Sequence, residues 1–354
     1  MNKELLDLYT DYLISQNGHA TATGLSALLG GDISHDKVTR FLRRSDYTSK
    51  DLWEYNKLSI REAQTGSGGV LCLDDTIEDK TYTDENDIVC WHYSHAKGRH
   101  VKGINILNAM IRYGDFAMPI AYDVVKKNIC YFDEKEGRDK RRASRSKNHM
   151  FRELVRQTVK NKVPFDYVLA DNWYGSKDNM LFLHFDLKKT FILGLKSNRL
   201  VALSKEQQKN GQFQQAKNLD WKNGESRCVY LKDLPIPVQL LKKIFTNEDG
   251  STGTLYLVSN DLAIGADRMY EVYQKRWQIE VFHQSIKQNA SLEKSPTKIV
   301  RTQLNHIYCA MVAYSKLELL KIKSALNHFA IKKKLLLKAN QAALSELRLL
   351  QTRA

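Results

Sequence analysis

The sequence predicts a mixed α/β protein whose two ends are helical. Three observations predict this class: short apolar runs typical of strands fill the middle of the chain, helical patterns lie before and after them, and one helical pattern at residues 148–161 interrupts the strands. Strand runs that alternate with a helical pattern indicate a mixed sheet flanked by helices. A chain of 354 residues also exceeds one ordinary domain, so we expect two or three.

The charge balance indicates a polyanionic partner. The chain has 55 Lys and Arg against 40 Asp and Glu, a net charge of +15. Nucleic acid is the usual partner of such a chain. An acidic membrane surface is the alternative, but no long basic amphipathic helix, membrane-spanning run or signal peptide is predicted. The five cysteines are scattered without a C-x-x-C pair, which favours a reducing cytoplasm.

Residues 1–64 read as helical and contain two short helical stretches separated by "GGDIS". Gly30 and Gly31 predict a turn, and Ser34 predicts the cap of the second stretch. This arrangement predicts a helix-turn-helix whose second helix enters a DNA groove. The alternative is a plain helical bundle with a solvated basic face. The second stretch carries the basic residues Lys37, Arg40, Arg43 and Arg44.

The strands of the middle region place carboxylates where strands end. After "TGSGG" (65–69), which predicts a flexible joint, "VLCL" leads directly into Asp74 and Asp75. The later run "FDYVLA" leads into Asp171. In open α/β sheets, ligand-binding groups follow the carboxyl ends of strands. The alternative is that each Asp caps a turn or a helix.

The chain becomes irregular and then helical towards its end. Residues 197–253 are polar and broken by Gly and Pro, which predicts a β-rich insertion. Strand character resumes at 254, and one long helix is expected from 266 to about 289. From 291 onwards the chain is helical, with 12 basic and 3 acidic residues, and residues 135–162 are similarly basic, with 11 and 3. Phosphate contacts are expected in both segments.

One stripe of the predicted helix carries a single acid among cations. Tyr273, Arg276, Glu280 and Lys287 fall within about 60° of one another on a helical projection, opposite the apolar residues. A solvated charged face is the alternative, but such a face does not need a tyrosine. Together with two strand-end carboxylates, Glu280 would complete a set of hard oxygen ligands for Mg²⁺ or Mn²⁺. Arg276 and Lys287 would then contact neighbouring phosphates.

These motifs resemble the DDE transposases of bacterial insertion sequences, in the group with a Y-x2-R-x3-E-x6-K signature. The stripe matches that spacing at every position, and "LDDT" and "LADNWYGS" resemble the two Asp motifs. The resemblance implies a ribonuclease-H-like core of residues 66–196 and 254–295, split by the insertion 197–253. A DNA-binding region (1–64) would precede it and a basic helical region (296–354) would follow.

The resemblance also implies an activity, namely Mg²⁺- or Mn²⁺-dependent cleavage of transposon ends and strand transfer into target DNA. Asp74 or Asp75, with Asp171 and Glu280, would be catalytic, and Asp74 is favoured over Asp75 as the first metal ligand. Tyr273, Arg276 and Lys287 would contact the DNA backbone. Trp173 and Tyr174 would either stack on an extruded base or pack against the active-site helix.

Two other functions fit the same residues. One is a ribonuclease-H-like nuclease that cuts without transposition, and the other is a DNA-binding protein that has no catalytic activity. As a transposase, the protein is expected to act as a homodimer on double-stranded inverted repeats, in the bacterial cytoplasm near the nucleoid.

Overall fold

The computed structural model describes residues 3–64, 68–94 and 97–353. Residues 65–67 of the predicted flexible joint lie outside these ranges. The helices within them are α1 (Lys3–Ser15), α2 (Ala22–Leu28), α3 (His35–Arg44), α4 (Ser49–Glu62), α5 (Lys147–Lys160), α6 (Lys177–Leu181), α7 (Lys205–Lys209), α8 (Ala266–Gln274), α9 (Trp277–Gln288), α10 (Val300–Ser324) and α11 (His328–Arg353). The strands are β1 (Val70–Asp79), β2 (Cys90–Ser94), β3 (Arg99–Tyr113), β4 (Phe116–Val124), β5 (Ile129–Asp133), β6 (Arg138–Arg142), β7 (Tyr167–Ala170), β8 (Thr190–Leu195), β9 (Leu200–Ala202), β10 (Gln214–Gln215), β11 (Glu225–Leu231), β12 (Pro237–Thr246) and β13 (Thr252–Ser259).

The predicted mixed sheet is confirmed. Among the described residues, eleven strands form one sheet in the order β10-β9-β11-β12-β13-β8-β7-β1-β3-β2, with β4 also paired to β3. Strand β3 is antiparallel to both β1 and β4, whereas β7 pairs with β1 in parallel and β8 pairs with β7 in parallel. A parallel pair requires a crossover, and α5 lies in the connection between β4 and β7.

The central strand β1 separates two hydrophobic cores because its side chains alternate between the faces of the sheet. Val70 and Cys72 belong to a core that includes side chains of α1, α9 and α10. Leu71 and Leu73 belong to a second core, which includes side chains of α5. Each β1 residue therefore faces a different set of helices from the residue that follows it.

Residues 197–253 are strand-rich, as predicted, but their strands do not form a separate sheet. Strands β9 to β12 extend the central sheet beyond β13, which pairs with β8. The segment is therefore a lateral extension of the sheet that carries the site.

The N-terminal region contains the predicted pair of short helices with a turn between them. Gly30 and Gly31 adopt positive φ angles of 62° and 87°, which glycine tolerates without steric cost. The Ser34 side chain accepts a hydrogen bond from the Lys37 N–H and caps α3. Helix α3 buries Val38, Phe41 and Leu42. Its four basic residues are exposed: Lys37, Arg40, Arg43 and Arg44.

The prediction of one helix over 266–289 is wrong, because the segment forms two helices, α8 and α9. The N–H groups of Lys275 and Arg276 donate to carbonyls three residues back, at 3.1 and 2.9 Å, instead of four. This tighter turn ends α8 and starts α9 although neither proline nor glycine is present. The expected helical C-terminal region is confirmed as α10 and α11. None of the helices in the described ranges has the length and apolar character needed to cross a bilayer.

Candidate active site

Asp74 and Asp171 lie side by side because of the register of two parallel strands. Strand β1 pairs with β7 up to Leu73 and Ala170, and the two acids are the next residues of their chains. Asp171 follows the last residue of β7, as predicted. The expectation that β1 also ends at its acids is wrong, since β1 continues to Asp79 through its pairing with β3. The pairing of β1 with β7 ends at Leu73 and Ala170, so the acidic side chains lie next to the C-terminal end of β7, the shorter strand.

The environment of Asp74 disfavours its charged form. The side chain is 18% exposed, and its Oδ2 lies 3.3 Å from the Arg276 guanidinium. Burial, followed by the negative charges of Asp171 and Asp75, raises the pKa of Asp74 to about 7 despite that arginine. Burial also raises the pKa of Asp171. A bound cation would relieve this repulsion between neighbouring carboxylates.

Asp75 points to the other face of the sheet and has a full set of partners. Its carboxylate accepts hydrogen bonds from Lys147 at 3.0 Å, from the Tyr174 hydroxyl at 2.7 Å and from the Asn105 amide at 2.7 Å. Burial alone would raise the pKa of Asp75, but Lys147, Tyr174 and Asn105 outweigh burial and lower it. Tyr174 also stacks on Phe151 of α5, with ring centroids 5.1 Å apart. Asp75 thus ties β1 to α5 and to the turn after Asp171.

Arg276 joins Asp74 to Glu280. Its Nη1 lies 3.3 Å from Asp74 Oδ2, and its Nη2 lies 2.5 Å from Glu280 Oε1. Burial opposes the positive charge, but Tyr273, Asp74 and Glu280 together raise the pKa of Arg276 further. The tight turn between α8 and α9 places this guanidinium at the start of α9, above the end of the β1–β7 pairing.

The other members of the signature differ in exposure. Tyr273 is 8% exposed, its ring lies 5.6 Å from the Arg276 guanidinium carbon, and burial raises its pKa to about 12. Its side chain therefore packs beneath Arg276. Lys287 is partly exposed and its Nζ reaches the Ile77 carbonyl at 2.6 Å and Glu293 at 3.0 Å.

Trp173 lies at the rim of the site with 43% of its surface exposed. The ammonium groups of Lys147 and Lys196 lie 4.8 and 5.1 Å from its ring. Two cations therefore contact the indole ring.

The predicted metal ligands are only partly assembled. Within 3–64, 68–94 and 97–353, no group of three His, Cys, Asp or Glu side chains is arranged to hold a metal ion. Asp74 and Asp171 meet the chemical requirement, since they are adjacent oxygen donors that repel each other. Glu280 supplies a third carboxylate on the same side, but it is engaged by Arg276. The donor set fits a hard divalent cation once Glu280 leaves that arginine.

Sequence reasoning missed Lys147 and Asn105, which bind Asp75. Its expectation that Tyr174 stacks on a base or packs against the active-site helix is wrong, because Tyr174 is buried, stacks on Phe151 of α5 and donates a hydrogen bond to Asp75. Tyr174 lies within the quoted motif "LADNWYGS", but its direction could not be known without the fold. Lys147 is one of eleven basic residues in segment 135–162, and no sequence pattern distinguishes it from the others. Asn105 carries no signal in the sequence, because only strand pairing brings it beside Asp75.

Comparison with known families identifies the class. Residues 2–218 match the DDE superfamily endonuclease family, and residues 139–315 match the transposase DDE domain. The first match includes Asp74, Asp75 and Asp171, and the second includes Asp171 and Glu280. The chain therefore belongs to the DDE superfamily endonucleases and carries a transposase DDE domain.

No curated protein matches the chain. Among solved structures, the chain is similar to one described as the Drosophila P element transposase strand transfer complex, with 12% identity and a TM-score of 0.26. That match covers 51% of this chain and 35% of the other. At this TM-score the similarity supports no conclusion about fold or function.

Proposed function

We propose that the protein is a transposase that cleaves the ends of its own transposon and joins them to target DNA. The observation that carries the proposal is the pair Asp74 and Asp171 at the end of the β1–β7 pairing, in a chain that matches the DDE families. Glu280 reaches the same side of the sheet through Arg276.

The proposed ligand set for Mg²⁺ or Mn²⁺ is Asp74, Asp171 and Glu280. When bound, such ions activate a water or a 3′-hydroxyl and stabilise the leaving oxygen of a phosphodiester. Asp75 holds no metal in this proposal. It keeps the turn after Asp171 in place through Tyr174, so that Asp171 stays beside Asp74.

Arg276 has two partners in the proposed mechanism. It neutralises Asp74 and Glu280 in the structure, and a guanidinium can also bind a phosphate with two parallel hydrogen bonds. When DNA arrives, its phosphate replaces the carboxylates as the partner of Arg276, and Glu280 becomes available as a ligand. Tyr273 supports the guanidinium from below, and Lys287 contacts the backbone further along α9.

We propose a ribonuclease-H-like architecture for the core. The strand order β4-β3-β1-β7-β8, with three antiparallel strands followed by two parallel ones, supports this proposal. Residues 66–196 and 254–295 form that core, residues 197–253 its insertion, residues 1–64 a DNA-binding region and residues 296–354 a C-terminal region.

Double-stranded DNA is the proposed partner, in the form of terminal inverted repeats and a target duplex. Exposed Lys37, Arg40, Arg43 and Arg44 on α3 support groove binding by the helix-turn-helix. Trp173 at the rim of the site would stack on an unpaired base near the cut.

A homodimer on DNA is proposed, with the exposed leucines of α11 as its support. Residues 339–352 of α11 are exposed throughout, and a helix of about this length is marginal in water on its own. The leucines concerned are Leu344, Leu347, Leu349 and Leu350. The proposed source is a bacterial insertion sequence, which places the protein in the cytoplasm at the nucleoid.

The test is cleavage of a duplex that carries the sequences flanking the gene, with Mg²⁺ or Mn²⁺. We expect cuts at the transposon ends and joining of the 3′ ends to a target plasmid, both lost in Asp171→Ala and Glu280→Ala. Full activity in either variant would refute the proposal. Cutting that ignores the end sequence supports the nuclease alternative, and binding without cutting supports the non-catalytic one.

A further inference from the structure

A lysine-lined cavity lies next to the candidate active site, at the far end of α9. It has a volume of about 670 Å³ and is bounded by the end of α1, the end of α9 and the first part of α11. Its ionisable residues are four lysines, Lys287, Lys294, Lys332 and Lys333, and one acid, Glu293. Their formal charge is +4 − 1 = +3. We call this cavity the lysine pocket.

The charge of the lysine pocket is largely uncompensated. In the part of the chain that the structure describes, Glu293 pairs with Lys287, and no ion pair involves Lys294, Lys332 or Lys333. Lysines without acid partners around a cavity leave a positive potential inside it. The pocket therefore favours an anionic ligand.

Lys332 is the most buried of these lysines, with 6% of its surface exposed. Its ammonium donates to the carbonyls of Ile14 at 2.6 Å and Gln16 at 2.5 Å, near the C-terminus of α1. These two bonds use two of its three hydrogens. Burial and the neighbouring Lys294 lower the pKa of Lys332 to about 8, which an anion beside it would reverse.

The position of the pocket relative to the carboxylates suggests what the anion is. Lys287 lies seven residues after Glu280 on α9, about 10 Å along the helix axis. One strand of duplex DNA carries a phosphate about every 3.4 Å of its axis. For a duplex whose axis runs along α9, a strand whose reacting phosphate lies at Asp74 and Asp171 would reach the pocket after about three nucleotides.

The walls of the pocket also suit a nucleotide chain. Phe329, Leu336 and Leu337 add apolar surface beside the lysines. A phosphate would bind the lysine ammonium groups, and the sugar attached to it would contact the apolar wall of the pocket. Inorganic phosphate offers the same charge but cannot use that surface.

We propose that the lysine pocket is a second phosphate-binding site, which holds the DNA backbone about three nucleotides from the phosphate cleaved at Asp74, Asp171 and Glu280. The inference rests on the proposed function, because it needs a DNA strand at those carboxylates. It adds a site formed by residues of α11 and of the turn after α9.

The test is metal-free binding of an end-sequence duplex, measured by fluorescence anisotropy in EDTA at several salt concentrations. The variant is Lys294→Gln/Lys333→Gln, which removes two charges and leaves the buried Lys332 intact. The matched control is Lys209→Gln, an exposed lysine on α7. Each lost phosphate contact lowers the log–log salt slope by about 0.9. We expect the double variant to lose about one to two units of slope, and the control none.

A second measurement locates the contact. A neutral methylphosphonate is placed two, three or four nucleotides from the cut, and binding is compared between the wild-type protein and the double variant. We expect weaker binding of the wild-type protein at one of these positions and no further loss in the double variant.

Equal salt slopes in the double variant and the Lys209→Gln control would overturn the proposal. So would inorganic phosphate bound in the pocket that a duplex does not displace. Either result would leave metal-dependent cleavage by the wild-type protein intact, so failure of the pocket is distinguishable from failure of the proposed function.

Discussion

Asp74 and Asp75 are adjacent in sequence yet lie in opposite environments. Asp74 faces Asp171 and one guanidinium, and its pKa is raised to about 7. Asp75 faces Lys147, Tyr174 and Asn105, and its pKa is lowered. The difference arises because successive residues of a strand point to opposite faces, and the two faces of β1 pack against different helices. Neighbouring cations balance the negative charge of Asp74 only in part, so Asp74 is suited to bind a metal ion. The charge of Asp75 is fully paired, so Asp75 is suited to stabilise the fold.

The largest expected effect is on catalysis. Asp74→Asn should lower end cleavage by on the order of 10³-fold or more, because it removes a proposed metal ligand. Asp75→Asn should lower it by only about 10–100-fold, as is typical of groups that orient ligands. Single-turnover cleavage rates of the two variants measure this difference. Equal losses of cleavage rate in the two variants would contradict the proposal that the two carboxylates have different roles.

The second prediction concerns stability without metal. Asp75→Asn leaves the Lys147 charge without its carboxylate and should lower the free energy of unfolding by about 2–4 kcal/mol, as for other partly buried pairs. Asp74→Asn removes a carboxylate whose charge is unfavourable in the fold. It should raise the free energy of unfolding at pH 8 by on the order of 1–2 kcal/mol. Urea unfolding in EDTA provides both values, and a loss of stability in both variants would contradict the account.

The third prediction is the pH dependence of that gain. A carboxyl group whose pKa is raised on folding binds more protons in the folded state, so stability falls as pH rises between its unfolded and folded pKa values. For Asp74 this window runs from 3.8 to about 7. The advantage of Asp74→Asn over the wild-type protein should therefore be absent near pH 4, grow up to about pH 7 and then remain constant. Melting temperatures across this range test it, and a gain confined to pH 4 would contradict the sign.

The smallest expected effect concerns Arg276. Arg276→Gln frees Asp74 and Glu280 from their shared cation, so the DNA-free protein should bind Mn²⁺ about three- to tenfold more tightly. The same variant should bind DNA more weakly, because it loses a phosphate contact. Calorimetric titration of Mn²⁺ into the DNA-free protein measures the first change. The control is Lys275→Gln, at the preceding residue. Weaker Mn²⁺ binding by Arg276→Gln would refute competition between Arg276 and the metal ion for Asp74 and Glu280.

Much of the site could be predicted from sequence because its signals are local. Asp171 directly follows an apolar strand, and Arg276 and Glu280 lie one turn apart. The sequence favoured Asp74 over Asp75 as a metal ligand but could not settle the choice, because it depends on which helix covers each face of β1. The sequence also contains no proline or glycine that would reveal the break at Lys275 and Arg276.

The fold was predictable to a similar extent. The order of strands and helices indicates a mixed sheet, and the glycine pair with Ser34 indicates the turn before α3. The sideways extension of the sheet was not predictable, since β9 and β10 have only three and two residues, and β9 pairs with β11 across the intervening residues 203–224. Pairing between distant segments leaves little trace in a local pattern.

Asp74, and not Asp75, is the proposed ligand of the catalytic metal. Replacing a ligand carboxylate with a thiolate disfavours Mg²⁺ more than Mn²⁺, since Mg²⁺ prefers hard oxygen ligands. End cleavage by Asp74→Cys and Asp75→Cys should therefore be compared in the two metals. We expect Asp74→Cys to be inactive with Mg²⁺ and to regain activity with Mn²⁺, while Asp75→Cys shows the same relative activity with both metals. Rescue by Mn²⁺ confined to Asp75→Cys would contradict it.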